Sequence, residues 1–155
     1  MAISHSALPV TVCLAASDGA LARALTARGI RTVVCKDAAA GMGHTLANGV
    51  VQRPAGWTGL LVALADMPWV LSNSYRAIAE TLTTGTIVVP TYRGQRGNPV
   101  GFGAGFFDAL SDAHGDQGGR DILRRHPGAI HEVALDDPGL LRDVDTVGAL
   151  RRAAD

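Results

Sequence analysis

Several features that define large classes of protein are scarce or missing in this sequence. The 155 residues carry no net formal charge, so the bulk composition does not point to nucleic acid or to an acidic membrane surface as a partner. No apolar run approaches the roughly 18 residues that a membrane-spanning helix needs. Residues 1–10 have neither a basic stretch nor a long apolar stretch, and we therefore expect no signal peptide and a cytoplasmic location.

Cysteine is also scarce. Cys13 and Cys35 each lie inside an apolar run, and we expect both to be reduced, buried thiols. The sequence contains no CxxC spacing and no Cys/His pattern of the kind that binds structural zinc. An anion or metal site in this chain must therefore be built from loop amides, arginine side chains and carboxylates.

The chain does contain a regular alternation of short apolar runs with longer amphipathic segments. Strands are predicted at residues 10–15, 31–35, 60–65, 86–89 and 130–135. Helices are predicted at residues 18–28, 44–52, 72–82, 106–113, 120–125 and 146–154. This alternation predicts a three-layer, Rossmann-like α/β fold with a mainly parallel sheet and helices on both faces. The 47% content of hydrophobic residues fits one globular domain over residues 1–155.

An aspartate follows the most apolar of the predicted strands. Residues 60–65 form a nearly continuous apolar run, typical of a strand covered on both faces, and Asp66-Met67-Pro68 ends it. Ligands in open α/β sheets bind outside the carboxyl ends of the strands, and a carboxylate there suits Mg²⁺. From its position alone, Asp66 is interpreted equally well as a turn or N-cap residue.

Glycine-rich segments supply further candidates. Residues 41–46 precede a predicted helix, where glycine lets backbone N–H groups approach an anion, although glycines also simply form turns. Residues 92–99 and 115–120 combine arginine and amide side chains with glycine, which suits an anionic ligand or else forms two solvated loops. Asp145 is interpreted first as the N-cap of a closing helix, but near Asp66 it would complete a Mg²⁺ site.

Taken in order, these segments resemble those of the MobA-like nucleotidyltransferases, most closely the molybdenum-cofactor cytidylyltransferase branch. The matching segments are G-M-G-H-T-L at 41–46, A-D-M-P at 65–68, P-T-Y-R-G-Q-R-G-N-P at 90–99, G-D-Q-G-G-R at 115–120 and D-V-D-T at 143–146. Each is short, and their common order along most of the chain carries the resemblance. It implies a fold like that of the nucleotide-diphospho-sugar transferases.

The resemblance also implies a reaction, in which the terminal phosphate of a molybdopterin cofactor attacks the α-phosphate of CTP or a related NTP. It implies Mg²⁺ (or Mn²⁺) held by Asp66, the catalytic residue, with help from Asp145. The residues that it places at the nucleotide are Gly41, Met42, Gly43, Thr45 and Asp66. The residues that it places on the cofactor-substrate side are Tyr92, Arg96, Gly97, Asn98, Pro99, Asp116 and Arg120.

One departure from the family is large. The family opens with a strand and an L-A-A-G-x-S-x-R-M-G loop followed by a lysine, which bind the triphosphate. Residues 14–19 share its first letters, but no Arg-Met-Gly and no lysine follow, and they match the family's second strand better. We therefore expect a partial domain that lacks the first strand and the phosphate-binding loop, with unpaired backbone groups beside the gap. Self-association or complementation by an N-terminal segment would follow, and the chain alone is expected to bind CTP weakly without turning it over.

Two other functions remain open at this point. The chain could be a non-catalytic remnant or partner subunit that keeps the fold and the cofactor-facing loops. It could also be a sugar-phosphate nucleotidyltransferase, since that broad fold shares the strand-end aspartate.

Overall fold

The structure, a computed structural model, describes residues 6–116 and 118–144. The strands are β1 (Thr11–Ala15), β2 (Arg31–Cys35), β3 (Gly59–Val62), β4 (Ile87–Tyr92), β5 (Gln95–Arg96), β6 (Val100–Gly103) and β7 (Ile130–Ala134). The helices are α1 (Gly19–Thr26), α2 (Met42–Val51), α3 (Ser72–Thr81), α4 (Phe107–Ser111) and α5 (Gly119–Arg125). None of the helices in these ranges is long and apolar enough to cross a membrane. The predicted helix at residues 146–154 lies outside the described residues.

The strands form two separate sheets. β1 and β2 pair in parallel as a two-stranded sheet, with Thr11 opposite Arg31. The larger sheet has the order β3-β6-β4-β5, and β7 pairs in parallel with β4. Its other pairings are antiparallel. The predicted α/β class is confirmed, with the added findings that the sheet is divided and that the larger part mixes both directions.

Helices cover both faces of the larger sheet. On one face Phe102 of β6 is buried in a cluster with Val50 of α2, Leu110 of α4 and Ile122 of α5. On the other face Gly101 lies directly under α3, where an added Cβ would be 3.0 Å from Ile78. This three-layer arrangement is the one that the alternating pattern predicts, because each helix buries one apolar face against the sheet.

The strand before Asp66 differs from its prediction. The prediction of a fully buried strand over residues 60–65 was wrong, since β3 ends at Val62 and its residues are only half-buried. The reason is its position at the edge of the larger sheet, where it pairs with β6 on one side only. An apolar run therefore indicated a strand correctly but not the neighbour that would cover it.

The strand predicted at residues 86–89 does not end before Pro90. β4 continues through Pro90, which pairs with Val133 of β7, and its carbonyl oxygen accepts a hydrogen bond from the N–H of Gly97 at 2.8 Å. Arg93 and Gly94, with φ angles of 50° and 79°, then turn the chain into β5. The predicted loop at residues 92–99 is therefore partly a two-residue hairpin turn, in which both central residues need positive φ.

Candidate functional site

Asp66 lies in an exposed turn that follows the carboxyl end of β3. The next residue, Met67, is buried in a cluster with Val70, Tyr75 and Leu140. The backbone of the turn is therefore anchored by the side chain of Met67, whereas Asp66 itself remains open to solvent. An exposed carboxylate on an anchored turn can accept a ligand without a large rearrangement of the chain.

The segment near the carboxyl end of the described chain reaches this turn. The N–H of Val144 donates a hydrogen bond of 2.7 Å to the carbonyl oxygen of Asp66. The segment that contains Asp143 thus passes beside the backbone of Asp66. Asp145 lies outside the described residues, and its part in a metal site stays a prediction. Residues 6–116 and 118–144 contain no group of three or more His, Cys, Asp or Glu side chains that could hold a metal ion.

The glycine turn at residues 41–43 packs against the loop that follows α4. The N–H of Gly43 donates a hydrogen bond of 2.7 Å to the carbonyl oxygen of Gly115. A Cβ on Gly43 would lie 2.6 Å from the carbonyl of His114, and one on Gly41, where φ is 124°, would lie 2.7 Å from the carboxylate of Asp116. Both glycines are required by this close approach. Since the N–H of Gly43 is already bonded to Gly115, it cannot also donate to an anion in this conformation.

The segment at residues 92–99 contributes unequally to the surroundings of Asp66. Tyr92 packs against the cluster that contains Met67, and the N–H of Asn98 donates to the carbonyl oxygen of Leu140 at 3.0 Å. Arg96 instead forms an ion pair of 2.6 Å with Glu132 of β7. Both partners of this pair are about half exposed, with side-chain exposures of 55% and 49%, so it contributes little to stability.

Other predicted residues of the cofactor-substrate side are placed as follows. Pro99 is fully buried, Gly97 is buried, and the peptide bond between Asn98 and Pro99 is cis. Asp116 and Arg120 are exposed, the latter in the first turn of α5. Arg120 is therefore accessible to a ligand, whereas Pro99 can act only by shaping the backbone.

A cavity of about 680 Å³ lies between β1 and β3. Met42 and Thr45 of α2 line it, as do Ala65, Met67 and Pro68 around the Asp66 turn. The glycine-turn helix and the Asp66 turn thus open into one space. This placement brings together two of the segments that the sequence assigned to the nucleotide, although Asp66 itself is not among the lining residues.

Asp137 is a structurally important residue that sequence reasoning missed. Its buried carboxylate accepts hydrogen bonds from the N–H of Leu71 at 2.8 Å, the hydroxyl of Ser74 at 2.6 Å and the N–H of Gly139 at 2.8 Å. It therefore ties the segment before Val144 to the start of α3, which follows the Asp66 turn. The turn sequence Asp-Pro-Gly at 137–139 is a signal that could have found it, because an aspartate there bonds its own backbone two residues on.

Tyr75 lies beside this carboxylate. Burial, and secondly the negative charge of Asp137, raise the pKa of the Tyr75 hydroxyl above its ordinary value. Tyr75 therefore stays neutral well into the alkaline range and acts as a packing residue under the Asp66 turn.

Comparison with known proteins identifies the family. The model of the MobA-like NTP transferase domain matches residues 2–130. The chain belongs to this family. Purine catabolism protein PucB of Bacillus subtilis is 30% identical over 115 residues, which cover 73% of this chain and 56% of PucB. The chain thus spans little more than half the length of this curated relative.

Solved structures show the same fold. Rv0371c from Mycobacterium tuberculosis superposes with a TM-score of 0.80 at 27% identity, covering 97% of this chain and 79% of that one. A manganese complex of Rv0371c superposes with a TM-score of 0.77 at 28% identity, covering 97% and 80% of the two chains. A nucleotidyl transferase from Methanothermobacter superposes with a TM-score of 0.76 at 22% identity, covering 98% and 74% of the two chains, and shows the fold alone. The resemblance to MobA-like enzymes predicted from the sequence is confirmed.

Proposed function

We propose that this chain belongs to a nucleotidyltransferase that transfers a cytidylyl group from CTP to the terminal phosphate of a molybdopterin-type cofactor. Its residues would form the binding site for the acceptor and part of the binding site for the nucleotide. A phosphate oxygen of the acceptor attacks the α-phosphorus and forms a new P–O bond. The bond from the α-phosphorus to the oxygen bridging to the β-phosphorus breaks, and pyrophosphate leaves. The observation that carries the proposal is the exposed Asp66 turn after β3, which accepts a hydrogen bond from the N–H of Val144.

A divalent cation fits the residues at this turn. Asp66 offers an exposed carboxylate oxygen on an anchored backbone, the ligand type that Mg²⁺ and Mn²⁺ prefer. Such ions bind through one or two carboxylates together with substrate phosphates, so a larger cluster of acidic side chains is not needed. The manganese complex of Rv0371c is consistent with this choice of metal. When bound, the cation would neutralise part of the negative charge of the triphosphate.

The chain's own residues would position the acceptor. The guanidinium group of Arg120 is exposed and can bind a phosphate with two parallel hydrogen bonds. Tyr92 and Asn98 border the Asp66 turn through their contacts with the Met67 cluster and with Leu140, and would orient the acceptor there. Phosphoryl-type transfer depends mainly on such positioning and on charge stabilisation, because the protein has little covalent chemistry to perform.

We expect the chain alone to bind CTP weakly and not to turn it over. Residues 14–19, which share their first letters with the family's phosphate loop, form the end of β1, a 3-10 turn and the start of α1. Losing one preorganised charge-stabilising donor can cost about 10²–10³ in rate, and a whole triphosphate loop supplies several. Nucleotide binding is therefore expected to be weak and to depend on the metal.

The test of the metal site uses Mn²⁺ as a paramagnetic probe. Adding Mn²⁺ and CTP to the labelled chain should broaden the amide resonances of residues 65–67 and of Val144, because they lie around the Asp66 carboxylate. The Asp66→Asn variant should lose this broadening. Asp108→Asn, which changes an exposed aspartate on α4, is the matched control and should retain it. Unchanged broadening in Asp66→Asn would contradict the assignment of the metal.

The test of the substrates measures pyrophosphate release. The chain is incubated with molybdenum cofactor, Mg²⁺ and either CTP, GTP or ATP. Steady turnover is not expected from the chain alone, and any trace of metal-dependent release should occur with CTP. Pyrophosphate release with GTP or ATP, but not with CTP, would support nucleotidyl transfer and contradict the choice of cytosine as the nucleobase. Release with a sugar phosphate, but not with the cofactor, would favour the sugar-phosphate alternative.

A non-catalytic partner subunit is the second candidate. The division of the sheet between β1 and β3 favours it, because a central part of the nucleotide side is not formed by the described residues. Tight binding of the cofactor without metal-dependent binding of any nucleotide would support this function. We also propose that the protein is cytoplasmic and that residues 1–155 form a single domain.

A further inference from the structure

An arginine contacts the face of a tryptophan ring beside the Asp66 turn. The guanidinium carbon of Arg142 lies over the ring of Trp69, 4.5 Å from the ring centroid. Trp69 follows Asp66 closely in the chain, and Arg142 precedes Val144, whose N–H donates to the carbonyl oxygen of Asp66 at 2.7 Å. Two extended residues span at most about 7 Å, so the backbone of Arg142 lies within roughly 10 Å of the turn.

The two segments that carry this pair are packed tightly against each other. Gly139 is buried, and a Cβ on it would collide with the carbonyl oxygen of Trp69. The carboxylate of Asp137 accepts a hydrogen bond from the N–H of Leu71 at 2.8 Å and so joins the same two segments. The backbone that positions Arg142 is therefore fixed before any ligand binds, and the entropic cost of ordering it on binding is small.

The charge of Arg142 is not neutralised by any carboxylate in the described part of the chain. Arg96, by contrast, forms an ion pair with Glu132. Arg142 is exposed, and a guanidinium whose face lies against a ring keeps N–H donors in its own plane, where they match two oxygen atoms of a phosphate. Arg142 is thus a cation that is oriented by its neighbour and available to an anionic ligand.

We propose that Arg142, oriented by Trp69, binds a phosphate group of a substrate beside the Asp66 turn. The inference deepens the proposed function and rests on it, because it adds a residue to that same site. The phosphate can belong to the nucleotide or to the acceptor, since both substrates carry this group. Trp69 and Arg142 are not among the residues that line the cavity between β1 and β3, so the pair extends the candidate site beyond that cavity.

Nuclear magnetic resonance tests the contact directly. The side-chain Nε–H signal of Arg142 and the indole N–H signal of Trp69 are followed in the labelled full chain, without metal. CTP or glycerol phosphate is added up to about 20 mM, which detects a Kd in the millimolar range. Both signals should shift with at least one of the two ligands. No shift with either ligand, or an equal shift with sodium acetate, would overturn the proposal.

Matched variants measure the contribution of the arginine, with the amide signal of Val144 as the reporter. Arg142→Gln should weaken phosphate binding at least about tenfold, because it removes a pair of charge-assisted hydrogen bonds. Arg28→Gln removes the same charge from an exposed arginine after α1 and should leave the affinity nearly unchanged. Equal losses in the two variants would show a general effect of charge and would contradict a contact at Arg142.

Conservative variants separate phosphate binding from a structural role of the pair. Arg142→Lys keeps the charge but cannot form two parallel hydrogen bonds, and should retain only part of the affinity. Trp69→Leu removes the cation–π contact and should weaken binding about two- to fivefold, whereas Trp69→Phe should keep most of it. A circular dichroism spectrum checks that each variant is folded. Full affinity in both Arg142→Lys and Trp69→Leu would contradict binding by an oriented guanidinium.

The response to the two ligands identifies the source of the phosphate. A shift with CTP alone, or displacement of glycerol phosphate by CTP, assigns the nucleotide, and a glycerol phosphate signal that persists with CTP present assigns the acceptor. Unchanged phosphate binding in Arg142→Gln, with Mn²⁺ still bound at the Asp66 turn, would remove Arg142 from the site and leave the proposed function standing. Phosphate binding at Arg142 without Mn²⁺ broadening at residues 65–67 would support the phosphate site and contradict metal-dependent transfer.

Discussion

The larger sheet and the two-stranded sheet are built from similar residues and are buried to different extents. Ile87, Val88 and Phe102 in the larger sheet have at most 1% of their surface exposed. In β2 of the smaller sheet Val33 is 2% exposed, whereas its neighbour Val34 is 46% exposed. Both sheets have the β-branched residues that strands favour, but among the described residues only the larger sheet has strands paired on both sides of its centre. Burial is therefore decided by the neighbours of a strand and not by its own composition.

Removing a side chain from each sheet should produce the largest contrast. Phe102→Ala leaves a cavity in the main core and should lower the free energy of unfolding by about 3–5 kcal/mol. Val34→Ala removes a half-exposed side chain and should change it by less than about 1 kcal/mol. Urea unfolding followed by circular dichroism measures both. Similar losses in the two variants would mean that the smaller sheet is as tightly packed as the larger one.

Replacing Asp137 should have the next largest effect on the free energy of unfolding, because its carboxylate connects the start of α3 to the turn at residues 137–139. Asp137→Ala leaves the N–H groups of Leu71 and Gly139 and the hydroxyl of Ser74 without their buried acceptor, and should cost about 2–3 kcal/mol. Asp136→Ala, an exposed neighbour, is the control and should be nearly neutral. A neutral result for Asp137→Ala in thermal unfolding would show that water replaces the carboxylate without cost.

Tyr75 should make stability depend on pH in the alkaline range. Its pKa is raised in the folded chain, so the unfolded chain loses the phenol proton first as pH rises above the ordinary value of 10.0. Stability from this group is therefore complete below about pH 10 and falls at higher pH. Thermal midpoints measured between about pH 9 and 11 should decline less steeply in Tyr75→Phe than in the parent chain. An identical decline in both would assign the alkaline loss to other groups.

The reactivity of Cys13 should show how well the cavity between β1 and β3 is shielded from solvent, and this test has the smallest expected effect on stability. It lines the cavity, and burial, followed by the nearby Cys35, raises the pKa of its thiol above 9.0. Because the thiolate is the reactive form, alkylation of Cys13 by iodoacetamide should be slower in the folded chain than in urea at about pH 8, and should keep increasing above about pH 9. Mass spectrometry of the modified peptide separates Cys13 from Cys35. Equal rates in the folded and the urea-unfolded chain would show that the cavity wall does not shield the thiol.

Predictions from the sequence succeeded where the determining contacts are local. The positions of β2, α2, α3 and β7 follow from apolar periodicity, glycine and the residues that begin or end a helix, and the structure agrees within one or two residues. Motif order likewise identified the family, because each motif is a short local segment. The burial of β3 and the end of β4 were predicted wrongly, because each depends on pairing with a strand that is distant in the sequence.

The candidate site shows the same limit. Asp66 was found because it follows an apolar run, but its bond to Val144 and the support of Asp137 for the next helix join residues far apart in the chain. Gly41 and Gly43 were singled out for possible contact with a nucleotide. Their role in the structure is contact with residues 114–116, which no spacing rule could have indicated.

The sequence by itself determined the α/β class, the approximate elements, the family and the carboxylate at the end of β3, because periodicity and short motifs depend on neighbours along the chain. The tertiary structure alone decided that the sheet is divided, that β1 and β3 face one apolar cavity, and that a buried aspartate supports the start of α3. Strand pairing and side-chain burial are relations between distant segments, and a hydrogen-bonding edge becomes free or paired only when the whole chain is folded.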